Sequence, residues 1–246
     1  MCRHLAYAGP PVPAARWLFD APHSLARQSW APRDMRGGGT INADGFGLGW
    51  YAPAGPVRYR RATPLWSDLT LPALAAATEA PMLLAAVRSA TSGMPVVETA
   101  AAPFADGQWF FSHNGVVRGW PGSVAKLAGG LDVTDLLTLE APTDSALLWA
   151  LVRDRLRHGT PPAEAVAGVV TEVAAAAPGS RLNLLLTDGT TIVASTYGHA
   201  LSVRRDAASV LVSSEPLDDD PAWEPVPDRT LVVASATDLA LTPGEL

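Results

Sequence analysis

Hydrophobic positions recur with two different periods along this chain, and the period changes twice. Arg3 to Ala8 alternates closely enough to predict a short strand, ended by Gly9-Pro10-Pro11. Ala14 to Phe19 predicts one or two helical turns. Ala21 to Thr40, with Pro22, Pro32 and the run Gly37-Gly38-Gly39, predicts an irregular loop able to lie over a site. Asn42 to Tyr51 carries Gly45, Gly47 and Gly49 on alternate positions, which predicts a strand with one face close against another backbone. Val57 to Arg61 is its expected hairpin partner across Pro53-Ala54-Gly55-Pro56. Leu71 to Ala77 predicts a helix, Met82 to Val87 a buried strand, and Gln108 to Ser112 an aromatic-rich strand.

The period then becomes helical. Leu147, Leu148, Leu151, Val152 and Leu156 share one face of a helix over Ala146 to Arg157, and Pro161 to Ala177 predicts a second. Strands return at Leu182 to Thr187, Ile192 to Tyr197, Val210 to Ser214 and Leu231 to Ala234, with Asp188-Gly189 as a turn after the first. No internal repeat or linker divides residues 1–246, which are expected to form a single domain. Strands, then two helices, then strands again predict an α+β fold of antiparallel sheets covered by helices.

Composition narrows the function classes. A hydrophobic fraction of 48% and a charged fraction of 17% suit a folded core rather than disorder. A net charge of −6 argues against a nucleic-acid or anionic-membrane partner. Arg58, Arg60 and Arg61 alternate with Tyr59 and read as one solvated strand face. The longest apolar stretch, Leu69 to Val87, is broken by Pro72, Glu79 and Pro81, so no membrane span is expected. The single cysteine and the absence of a secretory signal predict a cytoplasmic protein. The five histidines have no metal-ligand spacing, and neither metal nor cofactor is expected. The glycines at 45, 47 and 49 lack the spacing and following helix of a dinucleotide loop.

That single cysteine, Cys2, would become the first residue once Met1 is removed. A terminal cysteine combines a thiol nucleophile with an α-amine of pKa about 7.7–8.0 that can shuttle its proton. The plain alternative is an inert packing residue. Other positions are similarly double. Arg88 either reaches solvent at a strand end or faces a site. His113-Asn114-Gly115 is either a hairpin turn or a pair of donors, and Thr143-Asp144 is either a helix cap or a binding carboxylate.

Cys2, Arg88, Asn114-Gly115 and Asp144, in that order, resemble the class II glutamine amidotransferases of the N-terminal nucleophile hydrolases. The resemblance implies a four-layer αββα sandwich. It implies that Cys2 attacks a γ-glutamyl carbonyl, that Asn114 and the Gly115 backbone form the oxyanion hole, and that Arg88 and Asp144 bind the substrate α-carboxylate and α-ammonium. Val87-Arg88-Ser89-Ala90-Thr91 departs from the family's usual Thr-Arg-Tyr-Ser-Thr type, and no synthetase domain follows to receive ammonia. A free-standing hydrolase is therefore expected. Within that group Cys2-Arg3-His4-Leu5-Ala6-Tyr7, Asn42 to Tyr51 and Ser214 to Asp219 resemble amidohydrolases of ergothioneine biosynthesis. This implies a small-molecule partner, γ-glutamyl-hercynylcysteine sulfoxide, cleaved to glutamate. A glutaminase subunit serving a separate synthetase, or a binding relic without activity, are the alternatives. Trp30, Trp50, Trp66, Trp120 and Trp223 lie beside loops and could meet the trimethylammonium group of such a substrate. The chain gives no sign of its oligomeric state.

Overall fold

The computed structural model describes residues 2–35 and 41–246. Met1 and the expected glycine-rich loop segment 36–40 lie outside the described residues. Thirteen strands are described: β1 Arg3–Pro13, β2 Phe46–Ala52, β3 Gly55–Arg61, β4 Glu79–Val87, β5 Phe104–Asp106, β6 Trp109–Val116, β7 Arg181–Thr187, β8 Ile192–Thr196, β9 Ser202–Asp206, β10 Ser209–Ser213, β11 Trp223–Pro225, β12 Thr230–Ala234 and β13 Leu239–Pro243. The α-helices are α1 Leu25–Trp30, α2 Leu71–Ala77, α3 Ala125–Ala128, α4 Val133–Leu137, α5 Asp144–Arg157 and α6 Pro162–Ala176. The strands form a seven-stranded sheet in the order β11-β9-β10-β1-β4-β2-β3 and a six-stranded sheet in the order β13-β12-β8-β7-β6-β5. Every paired strand is antiparallel.

Three apolar layers follow from strand alternation, since successive side chains point to opposite faces. Ala6 and Ala8 of β1, with Met82 and Leu84 of β4, meet Phe110, Leu185 and Ala194 of the second sheet to form the layer between sheets. Leu5, Tyr7, Leu83 and Ala85 point the other way and are covered by Trp17, Leu18, Leu25 and Leu71. On the far side, Phe111, Leu182, Leu184 and Leu186 pack beneath α5 and α6 through Leu148, Val152, Val166 and Val170. The expected αββα order of layers is the observed one.

The alternating glycines serve close approach. A Cβ at Gly47 would sit 2.3 Å from the Ala102 carbonyl oxygen, and one at Gly49 would sit 3.0 Å from the Phe110 ring. No helix among the described residues is long and apolar enough to cross a membrane.

Several local expectations need correction. β1 does not stop at Gly9 but runs to Pro13, because its register with β4 shifts between Ala8 and Val12 and pairing then resumes at Val12. The segment 21–40 is not wholly irregular: α1 begins at Leu25, with the Ser24 hydroxyl accepting the Arg27 N–H. Arg60 is not on a solvated face. It is only 7% exposed, pairs with Glu140 at 2.7 Å, and donates to the Ala101 carbonyl. Asn114-Gly115 forms no turn, because β6 continues through both residues and pairs Asn114 with Asn183 of β7.

Candidate active site

The first sheet brings the beginning of the chain to its middle. β1 lies between β10 and β4, and Arg3 pairs with Val87. One step further along that antiparallel register, Cys2 stands opposite Arg88. Both line one narrow cleft with Val87, Phe104, Ser112, His113 and Ser145. The Cys2 thiol lies 3.7 Å from the Ser89 carbonyl oxygen and has intermediate exposure.

The second sheet supplies the opposite wall. Of the five expected site residues Cys2 and Arg88 line this cleft, while Asn114 and Gly115 directly follow its lining residue His113 and Asp144 directly precedes its lining residue Ser145. β5 pairs with only Trp109 to Phe111, leaving the rest of that edge of β6 without a strand neighbour. Val117, at the end of the strand, donates its N–H to Asp144 Oδ2 at 3.0 Å. Strand alternation places the Gly115 N–H on the same side. Gly115 itself is imposed by close approach, since a Cβ there would lie 1.8 Å from the Arg181 carbonyl oxygen.

Asn114 is fully buried and tied to the strand that carries Cys2. Its Nδ2 donates to Ser214 Oγ at 3.1 Å, and the same hydroxyl accepts the His4 N–H at 2.9 Å and donates to the His4 carbonyl at 3.2 Å. His113 donates from Nε2 to the Arg181 carbonyl at 3.0 Å, which leaves Nδ1 to accept from the Ser145 hydroxyl, also at 3.0 Å. That pair braces the cleft wall.

Arg88 and Asp144 are the electrostatic centre of the arrangement. Arg88 is 8% exposed and Asp144 4% exposed. Arg88 Nη1 donates to the carbonyls of Pro95 at 2.9 Å and Asp44 at 3.4 Å, and no carboxylate among the described residues pairs with it. Asp144 accepts N–H groups from Val117 and Ser145, and no described cation pairs with it. The helix cap is Thr143, whose hydroxyl accepts the Ala146 N–H, so Asp144 is not needed for that purpose. Unpaired buried charges cost several kcal/mol each unless something compensates them, and a site holding one of each sign suits a zwitterionic ligand.

Beneath Cys2 lies a cluster whose parts are far apart in sequence. Arg3 Nε donates to Glu215 Oε1 at 2.6 Å, and His23 Nε2 and the Arg33 N–H reach Glu215 Oε2 at 2.8 and 2.7 Å. Arg3 also donates to the Cys2 carbonyl at 2.9 Å and to the Asp34 carbonyl. The nucleophile's own backbone is thus clamped by a buried ion pair. Hydrogen bonds from His23 and the Arg3 charge outweigh burial and hold the Glu215 carboxyl down at about 2. Burial, with positive neighbours at His113, His199 and Arg3, lowers His4 to about 3.

These two groups fix the acid response. Below the ordinary histidine value of 6.5, the unfolded chain takes up a proton at His4 that the folded chain refuses until about pH 3. Below 4.5 the unfolded chain also protonates Glu215, while the folded one does not until about 2. In both windows the unfolded state binds more protons, so stability falls as pH falls, by about 1.4 kcal/mol per proton and pH unit at most. Urea melts at pH 7, 5.5 and 4 are expected to show progressive loss, and a His4→Gln variant should flatten the upper window; equal midpoints at pH 7 and 5.5 would contradict this.

Sequence reasoning did not single out Ser112, His113 or Ser145 as cleft residues, nor Ser214 and Arg181 as their supports. Of the tryptophans, Trp120 lines a separate groove with Thr91 to Met94, Val116 to Gly119 and Pro142. Trp30 already stacks on Arg27 and Trp223 on Arg204, at 4.1 and 5.4 Å.

Comparison with known proteins agrees with this geometry. The family model described as class II glutamine amidotransferases matches residues 19–209. The chain is 41% identical to a γ-glutamyl-hercynylcysteine sulfoxide hydrolase of Mycobacterium tuberculosis (strain CDC 1551 / Oshkosh), covering 98% of this chain and 96% of that one. It is 40% identical to the protein of the same name from Mycolicibacterium smegmatis, covering 99% and 100% respectively. Among solved structures, the glutamine phosphoribosylpyrophosphate amidotransferase of B. subtilis shares the fold with a TM-score of 0.67 at 12% identity, covering 99% of this chain and 49% of that one.

Proposed function

This chain belongs to the class II glutamine amidotransferases, and from that membership and the geometry of the cleft we propose that it hydrolyses the γ-glutamyl amide of γ-glutamyl-hercynylcysteine sulfoxide. The products are glutamate and hercynylcysteine sulfoxide. The observation that carries this reading is a pair of buried groups without an ion-pair partner among the described residues: Arg88, which lines the cleft that holds Cys2, and Asp144, next to the cleft residue Ser145. A glutamyl α-carbon bears one carboxylate and one ammonium. Arg88 offers a planar fork to the first, and Asp144 keeps lone pairs for the second.

With both charges held, the γ-carbonyl is presented to the Cys2 thiol. The thiol adds to that carbon as its proton passes to the α-amine freed by removal of Met1. The negative charge that develops on oxygen is received by Asn114 Nδ2, which has a second hydrogen beside the one given to Ser214, and by the Gly115 N–H. Such a donor typically lowers the barrier by about 2.7–4 kcal/mol. Collapse expels the amine, which takes the proton from the α-ammonium and leaves a thioester on Cys2. Water then adds to the thioester, glutamate departs, and the thiol is restored.

The two mycobacterial hydrolases are matched nearly end to end, which favours hydrolysis over supply of ammonia to a synthetase. The test compares rates: kcat/KM for γ-glutamyl-hercynylcysteine sulfoxide is expected to exceed that for glutamine by at least about tenfold, equivalent to 1.4 kcal/mol. Glutamine as the equal or better substrate would replace this reading with a glutaminase that feeds a partner.

A further inference from the structure

Arg88 and Asp144 account for both charges of the glutamyl head, yet two more arginines near Cys2 are without a carboxylate among the described residues. Arg181 opens β7 opposite Val116, the residue that follows the Asn114-Gly115 pair. Its carbonyl is the acceptor for His113, which lines the cleft with Cys2. Its own side chain is only partly exposed, and its Nε is buried without a hydrogen-bond partner. Arg118 stands beside it: the Arg118 N–H donates to Ser180 Oγ at 3.0 Å, next to Arg181 in sequence, and Arg118 lines a groove with Trp120. The Arg118 charge and burial both push the Arg181 guanidinium down, while the Cys2 thiol, as it ionises, pulls it up. Arg181, partly buried beside the exposed Arg118 and with an idle buried donor, is poorly placed unless an anion joins it.

Resting on the reading given above, we infer that Arg181, assisted by Arg118, binds a carboxylate carried by the leaving amine, so that the enzyme is specific for γ-glutamyl derivatives of α-amino acids rather than for γ-glutamyl amides in general. The substrate class fits. When the amine expelled from the γ-glutamyl amide is that of an α-amino acid, its carboxylate lies one carbon from the scissile nitrogen. Arg88 on the first sheet reads the glutamyl carboxylate, and Arg181 on the second reads the other. Simple amides and glutamine carry no such group and forgo the contact.

The discriminating pair of substrates is γ-glutamylalanine and γ-glutamylethylamide, which differ only by that carboxylate. Wild-type kcat/KM is expected to favour the alanine compound by about tenfold or more, as a charge-assisted contact supplies. In Arg181→Met the preference should fall to within about threefold of unity, and Arg181→Lys should restore part of it. Arg118→Met should lower the preference less. Each value is a ratio within one preparation, so a partly misfolded variant does not distort it. A wild-type ratio near one, or a ratio that survives in Arg181→Met, overturns the inference while γ-glutamyl hydrolysis stands. Failure of wild type to hydrolyse either compound, together with γ-glutamyl-hercynylcysteine sulfoxide, overturns both.

Discussion

Cys2→Ala is expected to lower kcat/KM by at least about 10⁴-fold, the scale on which removal of a covalent nucleophile acts, while leaving the fold intact. The thiol makes one long contact, to the Ser89 carbonyl at 3.7 Å, and is not part of an apolar core, so its loss costs little stability. The nucleophile's partner is its own α-amine, and any residue left ahead of Cys2 turns that amine into an amide without useful basicity. Fully active enzyme should therefore show an intact mass lacking Met1. Activity that persists in Cys2→Ala, or full activity in protein that retains Met1, would remove Cys2 from the mechanism.

The second large effect is expected at the charge pair. Arg88→Met and Asp144→Asn should each lower kcat/KM by about 10²–10³-fold, because each would delete one of the two charge-assisted contacts proposed to orient the glutamyl carbon. Their thermal behaviour separates binding from structure. Thr143 is the cap of α5, and an asparagine at 144 retains one oxygen for the Val117 N–H and loses the one that accepts the Ser145 N–H, so the melting temperature of Asp144→Asn should fall only modestly. Near-normal kinetics in Asp144→Asn would assign that residue to the architecture of α5 instead.

What could be read in advance divides by distance along the chain. The layers follow from local pattern: the unbroken apolar run Met82 to Val87 is buried on both faces of its strand, and the helical face of Leu147 to Val152 is buried in its helix. Features made by distant partners escaped. Arg60 looked solvated because Glu140, eighty residues on, is invisible to a local window. Asn114-Gly115 looked like a turn because that dipeptide usually is one. Here the glycine is demanded by the Arg181 carbonyl, sixty-six residues away, and the strand runs through it. α1 was legible in part, since Ser24 is an ordinary cap, but Pro22 and Pro32 around so short a helix concealed it. The site showed through its residue types and their order, whereas the braces from Ser214, Glu215 and His23 needed coordinates.

The clamp between Arg3 and Glu215 also orders events during synthesis. Its two halves are 212 residues apart, and β1 gains its β10 neighbour only when Ser209 to Ser213 exist. At elongation rates of about 5–20 residues per second, the first residues wait roughly 10–40 seconds before those partners emerge. Through that interval β1 has β4 as its one sheet neighbour, and the Arg3 side chain lacks the Glu215 carboxylate that will hold it. The clamp on the Cys2 backbone therefore closes among the last contacts of the first sheet, and a permuted chain that brought β10 next to β1 would close it early.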